Sequence, residues 1–307
     1  MRAGFGLLLM SMMLACTPES SRESALTTET ASSGTLSIYT VNYPLAYMAD
    51  RIVGSRGDVS FPAPPDVDPA TWSPGPETII DYQQADLILL NGAGYAAWVT
   101  NASLPRSRLV DTTARIADRL IPIESSVTHS HGPTGDHSHS GTAFTTWLDL
   151  EIAIEQARAV LDALVRTRPK HEEEFRQAFT DLEAEFRDID TKLVAATKRL
   201  DSQPVLFSHP VYQYFERRYK VNGYAVHWEP DALPVTALWV QLKAVLREHP
   251  AKIMIWESDP LPETRRRLME LGIVSVVMRP GGNKPAEGDL LDLLQKGIAA
   301  LEGATKI

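Results

Sequence analysis

The sequence predicts an α/β protein of two lobes, each a parallel sheet flanked by helices, joined by a long connecting helix. Three observations lead there. Strand-like runs alternate with helical spacings in both halves of the chain, the pattern of helix-covered parallel sheets. The run ADLILLNGAG is apolar throughout instead of alternating, as expected of a strand buried on both faces. Between the halves, Phe175, Phe179, Leu182, Phe186, Ile189 and Leu193 recur at i/i+3/i+4 spacing in a charged segment long enough to link two lobes.

Taken in order, residues 1–16 read as an export signal. Arg2 precedes a short apolar run from Phe5 to Leu14, too short to span a membrane. Met13-Leu14-Ala15-Cys16 resembles a bacterial lipobox, which makes Cys16 the expected site of lipidation. Residues 17–34 are rich in Ser, Thr and Glu and suit a flexible tether. The N-terminal lobe is expected over residues 35–168. TLSIYTV alternates and is β-branched, so it is the first strand, and PLAYMADRIV has helical spacing. The prolines of residues 61–76 force an irregular loop, because each removes a backbone donor. Residues 77–84 suit a helix before the buried strand, and Leu109-Val110 a further short strand. A histidine-rich loop covers residues 129–141, and a helix follows over about 148–166. Pro169 opens the connecting helix, expected over 169–200. The second lobe, 201–307, repeats the alternation. PVLFSH, GYAVHW, KIMIWES and VSVVM read as strands, and PVYQYFERRY, TALWVQLKAVLREH, TRRRLMELG and the C-terminal stretch as helices.

Composition narrows the function. A net charge of -9 without a Lys/Arg-rich run argues against nucleic-acid binding. The single cysteine leaves no internal disulfide, so core packing holds the fold in spite of the export signal. Enzyme signatures are missing: His171 heads a glutamate run with no second histidine one turn on, and NGAG lacks the Lys-Ser/Thr of a phosphate loop. No enzymatic activity is expected. An exported metal-dependent hydrolase is a remote alternative.

Four of the eight histidines, His129, His131, His137 and His139, fall in HSHGPTGDHSHSG. Neutral imidazole is the commonest protein ligand for divalent metals, so the crowding points to metal contact, weak where loop residues alone supply it.

Several phrases in one order resemble the solute-binding lipoproteins of zinc and manganese ABC transporters, built around a rigid connecting helix. They are YPLAYMADRIVG, PPDVDPATWSP, ADLILLNGAGYAAW, the histidine-rich loop before TWLDL, FSHPVYQYFERRY, IWESDP and VVMRPGG. The resemblance implies capture of a divalent cation, zinc on the preference of imidazole, and delivery to a membrane permease. It also implies a monomer anchored by lipid on the periplasmic or extracellular face. Four side chains hold the metal in such proteins. Matched by position, Ala70, Thr145 and Arg279 stand where three ligands belong, and His209 alone is retained. Two rescues follow. Either His227, Glu229 and Glu257, at the carboxyl ends of expected strands, rebuild a site around His209, or the histidine loop binds metal by itself. Against the first, and in preference to it, Glu229, Glu257 and Asp149 are expected to pair with Arg279 in a structural salt-bridge network, because a buried arginine needs carboxylate partners. The alternative function is a degenerate relative that binds a small anion, or nothing.

Overall fold

The computed structural model describes residues 34–65, 67–123, 128–130, 136–138 and 141–306, with Met1. Cys16 and the tether up to residue 33 lie outside these residues, as do His131 and His139.

The N-terminal lobe begins with β1 (Leu36–Thr40), whose inward residues Leu36 and Ile38 are fully buried. Asn42 then caps α1 (Tyr43–Val53): its side-chain oxygen accepts from the Leu45 N–H at 3.1 Å, and Pro44 fits the first turn, where no amide is needed. β2 (Gly57–Ser60), α2 (Pro76–Gln84), β3 (Leu87–Leu90) and β4 (Leu109–Asp111) complete a parallel sheet in the order β2-β1-β3-β4. β2 is absent from the sequence reading. As an edge strand it is only partly covered, so Gly57-Asp58-Val59-Ser60 needs no apolar run.

The histidine stretch is not simply a loop. β5 (Pro122–Ile123) pairs antiparallel with β8 (Gly141–Thr142) at its base. Beyond them β6 (Thr128–Ser130) pairs with β7 (Asp136–Ser138), setting His129 opposite His137.

α3 (Leu150–Thr167) starts at Asp149, whose carboxylate accepts from the Glu151 N–H at 3.1 Å. Pro169–His171 form a 3₁₀ turn leading into α4 (Glu172–Lys198), the connecting helix. Its six spaced apolar residues are all buried, against α1, α3 and α8 (Leu290–Ala304). Charged residues on its other face reach both lobes. Arg51 of α1 meets Glu185 at 2.7 Å, and Arg218 meets Asp190 at 2.5 Å.

The C-terminal lobe contains β9 (Val205–Phe207), α5 (Gln213–Tyr219), β10 (Gly223–Ala225), α6 (Thr236–Glu248), β11 (Ile253–Trp256), α7 (Pro262–Glu270) and β12 (Val274–Val277) before α8. Its parallel sheet runs β10-β9-β11-β12. Counted within each lobe, both sheets have the order second, first, third, fourth. In each, the strand order reverses between the first and third strands, and ligands of open parallel sheets bind beyond the carboxyl ends at such a point. β10 is shorter than GYAVHW implied. Past Ala225 the chain continues to bond, from Val226 N to Phe207 O and Trp228 N to Ser208 O, while leaving the regular ladder. No helix among the described residues is long and apolar enough to cross a membrane.

Candidate metal centre

The reversal point of the C-terminal sheet gathers the site. β9 ends at Phe207 and Pro210 cannot extend it, so Ser208 and His209 emerge at the carboxyl edge. Ser208 is held from three sides. Its N–H donates to Ile255 O at 2.9 Å, its carbonyl accepts from Trp228 N at 2.9 Å, and its hydroxyl accepts from Glu257 N at 3.4 Å. One residue thus ties the exits of three neighbouring strands together. It escaped the sequence reading because a serine before a histidine has no signature of its own.

Each exit contributes one functional side chain. The His209 ring, 2% exposed, has Nε2 3.2 Å from a Glu229 oxygen and Nδ1 3.0 Å from a Glu257 oxygen. The two carboxylates are 28% and 23% exposed, so they bridge the buried ring and the solvent. Burial opposes a charged imidazole here, but the two carboxylates outweigh it and push the His209 pKa up to about 10. The same two carboxylates favour a bound cation, which has to compete with the ring proton. One ligand atom from each residue falls within 4.8 Å of the others. Tetrahedral zinc with bonds of about 2.0 Å needs neighbouring ligand atoms about 3.3 Å apart. Since the two carboxylates face different ring nitrogens, a cation on one nitrogen keeps the carboxylate beside it and needs the other to swing round the ring edge. His227 is not in this group. Its ring meets that of His209 nearly edge-on, with centroids 6.3 Å apart.

Arg279 does not join these carboxylates. Its guanidinium is half exposed and bonds Asp259 at 2.5 Å. Asp149 is spent elsewhere, capping α3 and lying 3.5 Å from Arg217. The expected network of Glu229, Glu257 and Asp149 around a buried Arg279 is therefore not what forms. The reason is topological: β12 is an edge strand, and two residues beyond it, past the buried Met278, Arg279 has a solvent side. The backbone that carries Arg279 is nonetheless fixed. Tyr212 Oη donates to Met278 O at 2.7 Å, Trp147 Nε1 to Pro280 O at 2.7 Å, and Tyr43 N to Gly282 O at 3.0 Å. The last two bonds come from the N-terminal lobe.

The sequence model of the family described as zinc-uptake complex component A, periplasmic, matches residues 38–304. The chain belongs to that family. High-affinity zinc uptake system protein ZnuA of Bacillus subtilis is 25% identical over 227 residues, covering 73% of this chain and 71% of the relative. The metal ABC transporter substrate-binding lipoprotein FimA of Streptococcus parasanguinis is 26% identical, covering 71% of this chain and 67% of FimA. Zinc-binding protein AdcA of Streptococcus pyogenes is 20% identical over 80% of the chain, which spans half the length of AdcA. The fold is shared with the metal-dependent lipoprotein YcdH of Bacillus subtilis at a TM-score of 0.74, 21% identity and coverage of 88% and 98%. The zinc-bound ZnuA-like domain of Streptococcus pneumoniae AdcA also gives 0.74, at 16% identity and coverage of 89% and 100%.

The N-terminal lobe adds no donor to the group around His209 among the described residues. Ala70 has no donor side chain and packs half-buried against the main core. Thr145 is buried, and its hydroxyl donates to Val211 O at 2.5 Å, pinning the turn after His209. The Thr145 hydroxyl thus serves as a tie between lobes. All three members of the metal-competent group, His209, Glu229 and Glu257, come from the C-terminal sheet.

Proposed function

We propose that this chain is the exported, lipid-anchored solute-binding component of a divalent-metal ABC importer, with zinc as its cargo. The observation that carries the reading is the placement of His209 between Glu229 and Glu257 at the reversal point of the C-terminal sheet. Family membership and the names of the relatives support transport as the context. An imidazole with two carboxylates is a borderline-hard donor set that suits zinc. A permease is the expected partner and Cys16 the expected anchor. The geometry proposes binding without covalent chemistry, and the histidines of residues 129–139 would act as a weaker accessory.

Binding requires His209 to release the proton on its ligating nitrogen to solvent, and the cation takes that proton's place between the ring and the adjoining carboxylate. Ser208 keeps the three exits in register while this happens. Zinc titration of the mature chain, with and without residues 129–139, tests the reading. One-to-one binding that survives the deletion and is lost in His209→Ala is the expected result. No binding in either form overturns it. The degenerate-relative reading is favoured by one feature, the guanidinium of Arg279 at a position matched to a ligand, and predicts that second outcome.

A further inference from the structure

We propose that the cleft takes its cation together with a small anion bearing two or more carboxylates. Arg279 would grip one carboxylate while another fills coordination positions that His209, Glu229 and Glu257 leave open. This rests on the metal reading above and adds the second component of the cargo.

Coordination number gives the first reason. Zinc in a stable site takes about four donors, and three protein groups leave at least one to be supplied from outside. Among the positions matched to ligands, Ala70 supplies no donor atom, and the Thr145 hydroxyl is engaged with Val211 O at 2.5 Å. Arg279 cannot ligate a cation at all, because a guanidinium is always protonated and only donates. Placed near a bare cation it would oppose binding; placed near a cation carrying an anion it assists.

Space and charge give the second. A cavity of about 800 Å³ has both Glu257 and Arg279 in its lining, with Asp259, Lys284 and Lys296 among others. His209 and Glu229 lie outside that lining, and Glu257 is where the cavity adjoins the metal group. That volume is in the usual range for a small-molecule site. Its lining carries three bases (Arg279, Lys284, Lys296) and three acids (Glu257, Asp259, Glu287). Once Glu257 is committed to the cation, three positive groups face two negative ones, and the cavity favours an anion.

Rigidity gives the third. The carbonyls of Met278, Pro280 and Gly282 are each bonded, from Tyr212, Trp147 and Tyr43, so the backbone presenting Arg279 is preorganised. By contrast its present partner, Asp259, is 64% exposed, and exposed ion pairs are weakly held. An incoming carboxylate can displace Asp259 from the guanidinium towards solvent, and the planar fork of arginine binds carboxylate through two parallel bonds.

The experiment is zinc titration of the mature chain lacking residues 129–139, at free zinc held constant by a chelating buffer, with citrate, acetate or phosphate added. With citrate, zinc should bind at least about tenfold more tightly, the size of one charge-assisted contact. By linkage, citrate should gain the same factor from zinc. Acetate and phosphate should add little, because neither offers two carboxylates. Arg279→Gln should lose the citrate effect, Arg279→Lys should keep only part of it, and thermal unfolding of both variants checks that they fold. Equal zinc affinity with and without citrate, a citrate effect that survives in Arg279→Gln, or an equal effect of phosphate overturns the inference and leaves zinc binding standing. Citrate binding that ignores zinc overturns the coupling. Failure of zinc to bind under every condition overturns the metal reading itself, and this inference with it.

Discussion

The two sheets place different chemistry at equivalent points. Two residues beyond the first strand of each lobe stand Asn42 and His209; one residue beyond the third strand stand Asn91 and Glu257. In the N-terminal lobe both side chains are amides, fully buried, and bonded to each other at 3.0 Å. Asn91 also bonds Phe144 O at 2.9 Å, and its oxygen is approached by Thr146 and Gln156 at 3.2 Å. Gln156 goes on to Thr112 at 3.0 Å. That reversal point is neutral, closed and satisfied within the fold. In the C-terminal lobe the matching point is charged and opens to solvent through its two carboxylates. A fold can therefore use the same topological position as a structural knot in one copy and as a candidate ligand site in the other. What separates the two is charge and access, since backbone geometry is common to both.

Each side of this comparison can be broken. On the charged side, His209→Ala should weaken cleft zinc binding by more than about 100-fold, beyond the 10- to 100-fold cost of losing a group that only orients a ligand. Titration of the chain lacking residues 129–139 measures it. On the neutral side, Asn91→Leu leaves the Asn42, Thr146 and Gln156 donors and the Phe144 carbonyl without their shared partner. Destabilisation of about 3 kcal/mol, or roughly 6–9 °C in melting temperature, is expected, with zinc stoichiometry unchanged. Calorimetry of the zinc-free and zinc-loaded protein separates the two effects. A smaller change is expected for Glu229→Gln or Glu257→Gln, each lowering zinc affinity about tenfold by removing one anionic donor. If either leaves affinity unaltered, that carboxylate is not part of the site.

Glu216 gives the finest test, because it separates burial from partnership. Burial alone pushes its carboxyl up to about 7, from an ordinary 4.5. Its oxygen sits above Gly223, where an added Cβ would come within 2.5 Å of it. The unfolded chain loses this proton near 4.5 and the folded chain near 7, so stability falls as pH rises between those values and stays lower above them. Glu216→Gln should remove that fall, gaining roughly 1 kcal/mol at pH 8 and nothing at pH 4. Melting profiles of both proteins against pH provide the measurement. An equal gain at both pH values would mean that packing, not desolvation of the carboxylate, limits stability there.

Much of this architecture was legible in the chain because it depends on periodic burial. The apolar stripe of α4, the buried run of β3 and the alternation of the second lobe all follow from spacing. β2 was not legible, since an edge strand half open to solvent carries no burial pattern. The bonded network around Asn91 left no trace either, because its members are 10 to 65 residues apart and linked only by side-chain hydrogen bonds. The site divides along the same line. His209, Glu229 and Glu257 could be nominated because strand ends of a parallel sheet are known places for ligands. His227, two residues from Glu229, falls beside the ligand group, since strand ends alone do not say which side chains converge. The partner of Arg279 depends on which strand lies at the edge of the sheet, and strand order is a property of the assembled fold.

The three bonded carbonyls of residues 278–282 bear on how cargo is exchanged. Trp147 and Tyr43 fasten the last strand exit of one lobe to the other lobe, and a clamshell motion about α4 would have to undo both bonds together. The resting molecule is therefore latched at that edge, while the buried His209 ring is flanked by the partly exposed carboxylates of Glu229 and Glu257. Two such bonds hold that edge by about 1–3 kcal/mol together, enough to keep it closed most of the time and little enough for a partner that grips both lobes to undo.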